Sequence, residues 1–256
     1  MILQTTLPYD PDDPPRLPGI APLAPGDWLL LDEAYGPQVA LRRHLLETRR
    51  AEVLAVEPGA EPAAAELLET VLAQLPEGVD LRDGVVRCPD GARVPVERSD
   101  PLGTLGRILQ EDFCLMERRG EQHVLTGAVL CFPASWTLSE KLGHPLTRIH
   151  APVENYDADL ARRVQRLFDG IRPGRPLWRF NALGYDDPAL FQPRREAAPH
   201  AAHDRGAARY LRSERQCLWR LERSGAVVFS IHTYVLDRRA GLSAPPAGPV
   251  PADGRY

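Results

Sequence analysis

The chain has few of the residues that usually announce a chemistry. It has four cysteines in 256 residues (Cys88, Cys114, Cys131, Cys217), and no two are close enough for a CxxC pair or a zinc-finger spacing. That excludes a local metal ribbon or dithiol motif and fits free thiols in a reducing compartment. No apolar run approaches the roughly 18 residues a membrane span needs. Met1-Ile2-Leu3-Gln4 lacks a basic region followed by an apolar stretch, so a signal peptide is not expected and the expected location is cytoplasmic. Walker, GxGxxG and HExxH patterns are all missing, which leaves no nucleotide cradle and no zinc-protease helix. Nor does one sign of charge dominate. Thirty-one basic residues face 35 acidic ones, for a net charge of −4, so nucleic-acid binding is not expected as the main activity.

What is plentiful is proline, with 26 residues gathered mostly at the two ends. Residues 1–26, with Pro8, Pro11, Pro14, Pro15, Pro18, Pro22 and Pro25, read as an extended arm on the surface, and 240–256 as a disordered tail. Between them, 27–100 reads as a helical and β extension. Val39, Leu41, Leu45 and Leu46 interleave with arginines over 33–56. Leu67, Leu68, Val71, Leu72 and Leu75 recur at helical spacing over 61–75, with Pro62 in the first turn. Asp83-Gly84 and Asp90-Gly91 predict tight hairpin turns.

Beyond Asp100-Pro101 the pattern becomes that of strands. Gln110 to Met116 and Val124 to Phe132 form a pair joined near Gly120, and a helical insert over 134–170 follows, with Leu160, Val164, Leu167 and Phe168 in phase. Segments 176–183, 210–221 and 226–236 complete the series, with Ser224-Gly225 turning the last pair. Strand, strand, helical insert and three strands is the order of a PAS domain. The expected fold is therefore α+β: a PAS-like five-stranded antiparallel sheet with a helical insert over 101–239, preceded by an N-terminal helical layer.

Several segments carry a resemblance. They are Cys131-Phe132-Pro133-Ala134-Ser135-Trp136, Leu142 through Val153 with its Ile149-His150-Ala151-Pro152-Val153, Leu211-Arg212-Ser213-Glu214-Arg215-Gln216-Cys217-Leu218, and Phe229-Ser230-Ile231-His232-Thr233-Tyr234. In combination they resemble the heme-dependent oxidative N-demethylase-like family over about residues 25–236. The resemblance implies a noncovalent heme b, O2 and a small methylated amine as substrates, and release of formaldehyde that tetrahydrofolate can capture. It also implies electrons from NADPH through separate flavin and iron–sulfur reductase subunits, since this chain has no motif for any of those groups. A homo-oligomer is compatible with it; nucleic acid and membrane are not expected as partners. The alternative, from a different class, is a non-catalytic PAS-like heme or ligand sensor, although no output domain accompanies the pattern.

By the same resemblance His150, the histidine of the IHxPV segment, is the expected metal ligand. His232 is its competitor, but it shares a strand face with Ser230 and Tyr234, away from the apolar Val227, Phe229, Ile231 face. His144 reads as part of a turn, and His44, His123, His200 and His203 as surface residues. A thiolate from Cys131 or Cys217 stays open. Arg179 and Arg215 are the cations expected to bind the cofactor by meeting a propionate. Glu214 and Arg215 are the expected catalytic pair, with Glu214 and Gln216 on one strand face and Arg215 on the other. Arg179-Phe180-Asn181 resembles the family's Arg-x-Asn-Trp segment, with Ala182 in place of Trp. Lys141, in the family's EKxG pattern, reads as a structural contact or a propionate partner.

Overall fold

In the last strand Val227, Phe229, Ile231 and Thr233 alternate with Val228, Ser230, His232 and Tyr234, and nearly all eight side chains are buried. A strand buried on both sides needs a layer on each face. The computed structural model supplies both, and it describes residues 1–11, 19–24, 26–149, 158–198 and 208–240.

Ten strands and seven helices are described. In chain order they are β1 (Ala21–Pro22), α1 (Tyr35–Thr48), α2 (Arg50–Val53), β2 (Leu54–Val56), α3 (Glu61–Leu72), β3 (Asp80–Arg82), β4 (Val85–Arg87), β5 (Arg93–Pro95) and α4 (Pro101–Ile108). There follow β6 (Asp112–Arg119), β7 (Gln122–Val129), α5 (Leu138–Lys141), α6 (Leu146–Ile149), α7 (Ala158–Gly170), β8 (Leu177–Tyr185), β9 (Tyr210–Arg220) and β10 (Val227–Asp237). Strands β3, β4 and β5 make a small meander. The other seven form one antiparallel sheet in the order β1-β8-β9-β10-β6-β7-β2. The protein is thus α+β around a large antiparallel sheet, wider than the five strands expected because short pieces of the N-terminal region extend both edges.

Local chemistry accounts for the elements. Asp83 and Gly84, at φ 51° and 72°, form the left-handed pair that closes β3 onto β4. Pro62 sits in the first turn of α3, where its missing N–H costs nothing. Asp100 caps α4 by accepting from Gly103 N, and its carboxylate also pairs with Arg50 at 2.6 Å. Gly106 lets α4 approach the sheet: a Cβ there would meet Val129 Cγ2 at 2.7 Å and Leu46 Cδ1 at 3.0 Å.

One sheet face, carrying Phe113, Leu115, Cys217, Trp219 and Val228, packs on α1, α3 and α4. The other, carrying Cys114, Met116, Leu218, Val227 and Ile231, packs on the insert helices through Leu138, Leu146 and Phe168. The arm is not merely laid on the surface. Leu7 and Tyr9 are buried against Phe180, Leu211 and Tyr234, and Gln4 N donates to Val235 O.

The layers are fastened by a buried charge. Arg42 of α1, fully enclosed, donates to Asp112 Oδ1 at 2.6 Å and to the carbonyls of Gly106, Gln110 and Glu111. Asp112 in turn accepts the N–H groups of Cys131 and Phe132. Removing one member of such a pair strands the other charge, which costs about 3–5 kcal/mol. Arg42→Ala should therefore lower unfolding free energy by about that amount in urea titrations, more than truncation of an exposed arginine such as Arg98.

Candidate functional site

Strand alternation sorts the residues singled out in the sequence. Arg179 and Asn181 of β8, Glu214 and Gln216 of β9 and Thr233 of β10 lie on the face covered by the insert, in register as Arg179↔Gln216, Asn181↔Glu214 and Glu214↔Thr233. Arg215 and His232 are Cα partners on the opposite face. The structure therefore brings Arg179 and Glu214 together and does not bring Arg215 to them. Arg215 Nη2 donates to Asp27 O at 2.7 Å, Nη1 meets Cys217 Sγ at 3.3 Å, and the guanidinium sits 5.4 Å from the Trp178 ring. Each of those contacts ties the arm side of the molecule together. Glu214 and Arg215 cannot meet one ligand as a pair, because the sheet stands between their side chains.

On the insert-facing side the polar groups are incompletely used. Arg179 makes no hydrogen bond or ion pair among the described residues, and its Nε is buried without a partner. Burial lowers the guanidinium's pKa, against the opposing pull of Glu214. Thr233, fully buried, also leaves Oγ1 unpartnered. Glu214 is buried, and its Oε2 accepts from Asn181 Nδ2 and Gln216 Nε2, each at 3.0 Å. Apolar cover comes from Phe229, Ile231, Leu218 and Trp136. An apolar wall carrying a few unsatisfied polar groups is the chemistry of a ligand site. A desolvated guanidinium without an anion suits a carboxylate-bearing prosthetic group.

The histidines divide clearly. His44 and His144 are exposed. His232 is enclosed between two carboxylates, Nδ1 at 3.0 Å from Glu111 and Nε2 at 3.1 Å from Asp32. Burial would lower its pKa, but the bonds to Asp32 and Glu111 prevail and raise it to about 9. Burial likewise opposes ionisation of Asp32, yet its bond to His232 leads a set that holds it at about 2. Both ring nitrogens of His232 are thereby committed as donors.

His123 corrects the sequence reading. It is fully buried on the insert-facing side, not on the surface, with its ring 5.4 Å from Phe168. Gln165 Oε1 accepts from His123 N, so Gln165 Nε2 is the donor to Nδ1. The proton of the neutral ring then lies on Nε2, which has no partner. A ring held in that tautomer offers no lone pair to a metal. Nothing in the sequence around Gln122-His123-Val124 signals this burial, which comes from the distant helix α7. His150, His200 and His203 lie outside the described residues.

The thiols and the lysine are also placed. Cys131 and Cys217 belong to the core against the N-terminal helices, where burial pushes their pKa up to about 12 and about 11. Cys114 faces the insert, and burial raises its thiol too. Lys141 is a structural contact, donating to Ile149 O at 2.8 Å and to Glu196 at 2.5 Å. Among the described residues no group of three His, Cys, Asp or Glu side chains could hold a metal ion, and no helix is long and apolar enough to cross a membrane.

Fold and site thus define an α+β protein whose large antiparallel sheet carries paired charges on one side and partly unsatisfied polar groups on the other. Residues 19–241 match the family model described as Haem-dependent oxidative N-demethylase, alpha subunit-like, and the chain belongs to that family.

The His232 cluster sets a pH response. A histidine raised from about 6.5 to about 9 contributes its full stability below about pH 6.5 and loses it as pH rises through 9. Urea midpoints should fall across that interval in the wild type. In His232→Gln they should start lower and stay flat over the same pH range.

Proposed function

We propose that this chain is a heme-binding subunit catalysing oxidative N-demethylation of a small methylated amine. The observation that carries the reading is Arg179, a half-buried guanidinium whose Nε is enclosed without a partner on the insert-facing side of the sheet, in a chain of this family. We take residues 101–239 as a PAS-like domain; the order β7-β6-β10-β9-β8 among the five long strands, with the insert between β7 and β8, supports it.

In this reading Arg179 would hold a heme propionate and His150 would ligate the iron. Support for His150 comes from the family resemblance of its segment. It follows Ile149, whose side chain packs into the insert-side core, and the two buried imidazoles among the described residues, His123 and His232, are committed to hydrogen bonds with Gln165, Glu111 and Asp32. The heme, when bound, would supply O2 activation that oxidises an N-methyl carbon, so that the product collapses to amine and formaldehyde. The chain's own residues bind and orient: Phe229, Ile231 and Trp136 exclude water, and Glu214 faces the amine. Electrons, and any NADPH, flavin or iron–sulfur centre, would come through partner subunits, and tetrahydrofolate could take the formaldehyde.

Protein purified from heme-supplied cells should show one Soret-absorbing heme per chain. His150→Ala should lose that band while His232→Ala does not, provided the latter is measured below its unfolding midpoint. Arg179→Ala should weaken heme retention by about 10-fold, the loss of one charge-assisted contact. Supplied with a compatible reductase, O2 and dimethylamine, the heme protein should release formaldehyde, and with NADPH alone it should not. Heme-replete reduced protein that binds O2 but oxidises no amine would assign the chain a binding or sensing role instead.

A further inference from the structure

The polar groups on the insert-facing side of β8, β9 and β10 are arranged around one carboxylate. Asn181 grips Glu214 at two points: Nδ2 donates to Oε2 at 3.0 Å, and Oδ1 accepts Glu214 N–H at 3.1 Å. Gln216 Nε2 adds a second donor to the same Oε2 at 3.0 Å. Both amides therefore converge on one oxygen, and among the described residues no donor reaches Oε1. Thr233, the Cα partner of Glu214, is fully buried with Oγ1 unpartnered. Arg179 lies on the same face but forms no ion pair with Glu214.

Two neutral amides fix the carboxylate's orientation without neutralising its charge, and Arg179 acts on it only through space, with no ion pair. A buried carboxylate in that condition is costly unless a cation completes it. The neighbouring hydroxyl has lone pairs to accept a second N–H, which a protonated secondary or primary amine has and a quaternary ammonium lacks. We infer that Glu214 Oε1 and Thr233 Oγ1 form the anchor for the N–H donors of a protonated alkylamine, with Asn181 and Gln216 as the positioning residues that hold the carboxylate for it. The inference rests on the demethylase reading for its substrate class, but its binding test stands apart from catalysis.

Three probes of similar size or charge separate the contributions: dimethylammonium (charged, two N–H donors), tetramethylammonium (charged, none) and dimethyl ether (neutral). Calorimetric titration of the heme-loaded protein, repeated on the heme-free protein, should show dimethylammonium binding most tightly. Glu214→Gln should weaken it by about 10-fold or more, as expected for loss of a charge-assisted hydrogen bond, and leave dimethyl ether unchanged. Thr233→Val should cost about 3-fold for dimethylammonium alone. Asn181→Ala should reduce the preference for dimethylammonium over dimethyl ether while the melting temperature and Soret band stay within wild-type range; a merely structural role would move those instead. The inference is overturned if the wild type does not bind dimethylammonium, binds dimethyl ether equally well, or is matched by Glu214→Gln. Failure of the demethylase reading would appear separately, as absent heme or absent formaldehyde with the binding preference intact.

Discussion

The Arg42–Asp112 pair is the constraint on which the rest of the architecture depends. A guanidinium with no solvent around it must have its charge answered and its N–H groups accepted. Here Asp112 answers the charge, and the carbonyls of Gly106, Gln110 and Glu111 take the remaining donors. Those partners fix the end of α4 and the entry into β6 relative to α1. Asp112's own bonds to Cys131 and Phe132 fix the exit from β7 at the same place. The adjoining residues extend the lock. Gln110 donates to Asp32 and Gln38, and Glu111 holds His232 and accepts from Leu30 N. Three consecutive polar residues thus bind the 27–33 segment, helix α1 and the central strand β10 into one unit.

This makes the two faces of the sheet physically unlike. Toward the N-terminal layer, buried charges are paired within the fold: His232 has two carboxylates, and Arg215 has a carbonyl and an indole face. Toward the insert, Arg179 Nε and Thr233 Oγ1 are unsatisfied, and among the described residues no donor reaches Glu214 Oε1. Unsatisfied buried polar groups lower stability, and they persist where a ligand completes them or where the surrounding fold over-determines them. The charge-paired face supplies that surplus of order, so the site can remain preorganised on rigid strands.

How much of this was legible in the sequence follows from how local each feature is. The alternation of β10 and β9, the Asp83-Gly84 turn and the Pro62 helix start are written in neighbouring residues, and the long strands emerged where the pattern put them. Helix α4 was not legible, because Gly103 and Gly106 depress its helix propensity; Gly106 is needed only because Val129 and Leu46 press so close. Strands β1 and β2, of two and three residues, are too short to show a period. Arg42 reads as one more arginine on an amphipathic helix, and His123 as part of a charged hairpin. In both cases burial is created by elements far away in the chain. The opposition of Glu214 and Arg215 was visible from alternation alone, yet it also meant that the two could not act as one catalytic pair, a consequence the strand register makes plain.

That opposition explains how an arm on one face can govern a site on the other. Tyr9 stacks on Phe180 at 4.2 Å, and its hydroxyl lies 2.8 Å from Ser213 Oγ, which donates to Asn181 O. Phe180 and Ser213 point toward the arm, while their sequence neighbours Arg179, Asn181 and Glu214 point toward the insert. Every contact that holds the arm side of β8 and β9 therefore fixes, one residue away, the backbone carrying the insert-side groups. Because β8 has only the two-residue β1 on its outer side, the arm's packing replaces the ladder that a long neighbouring strand would have supplied. Asn181 is held from behind by Ser213 and, in front, grips Glu214, so the geometry of the carboxylate depends on aromatic stacking it never touches.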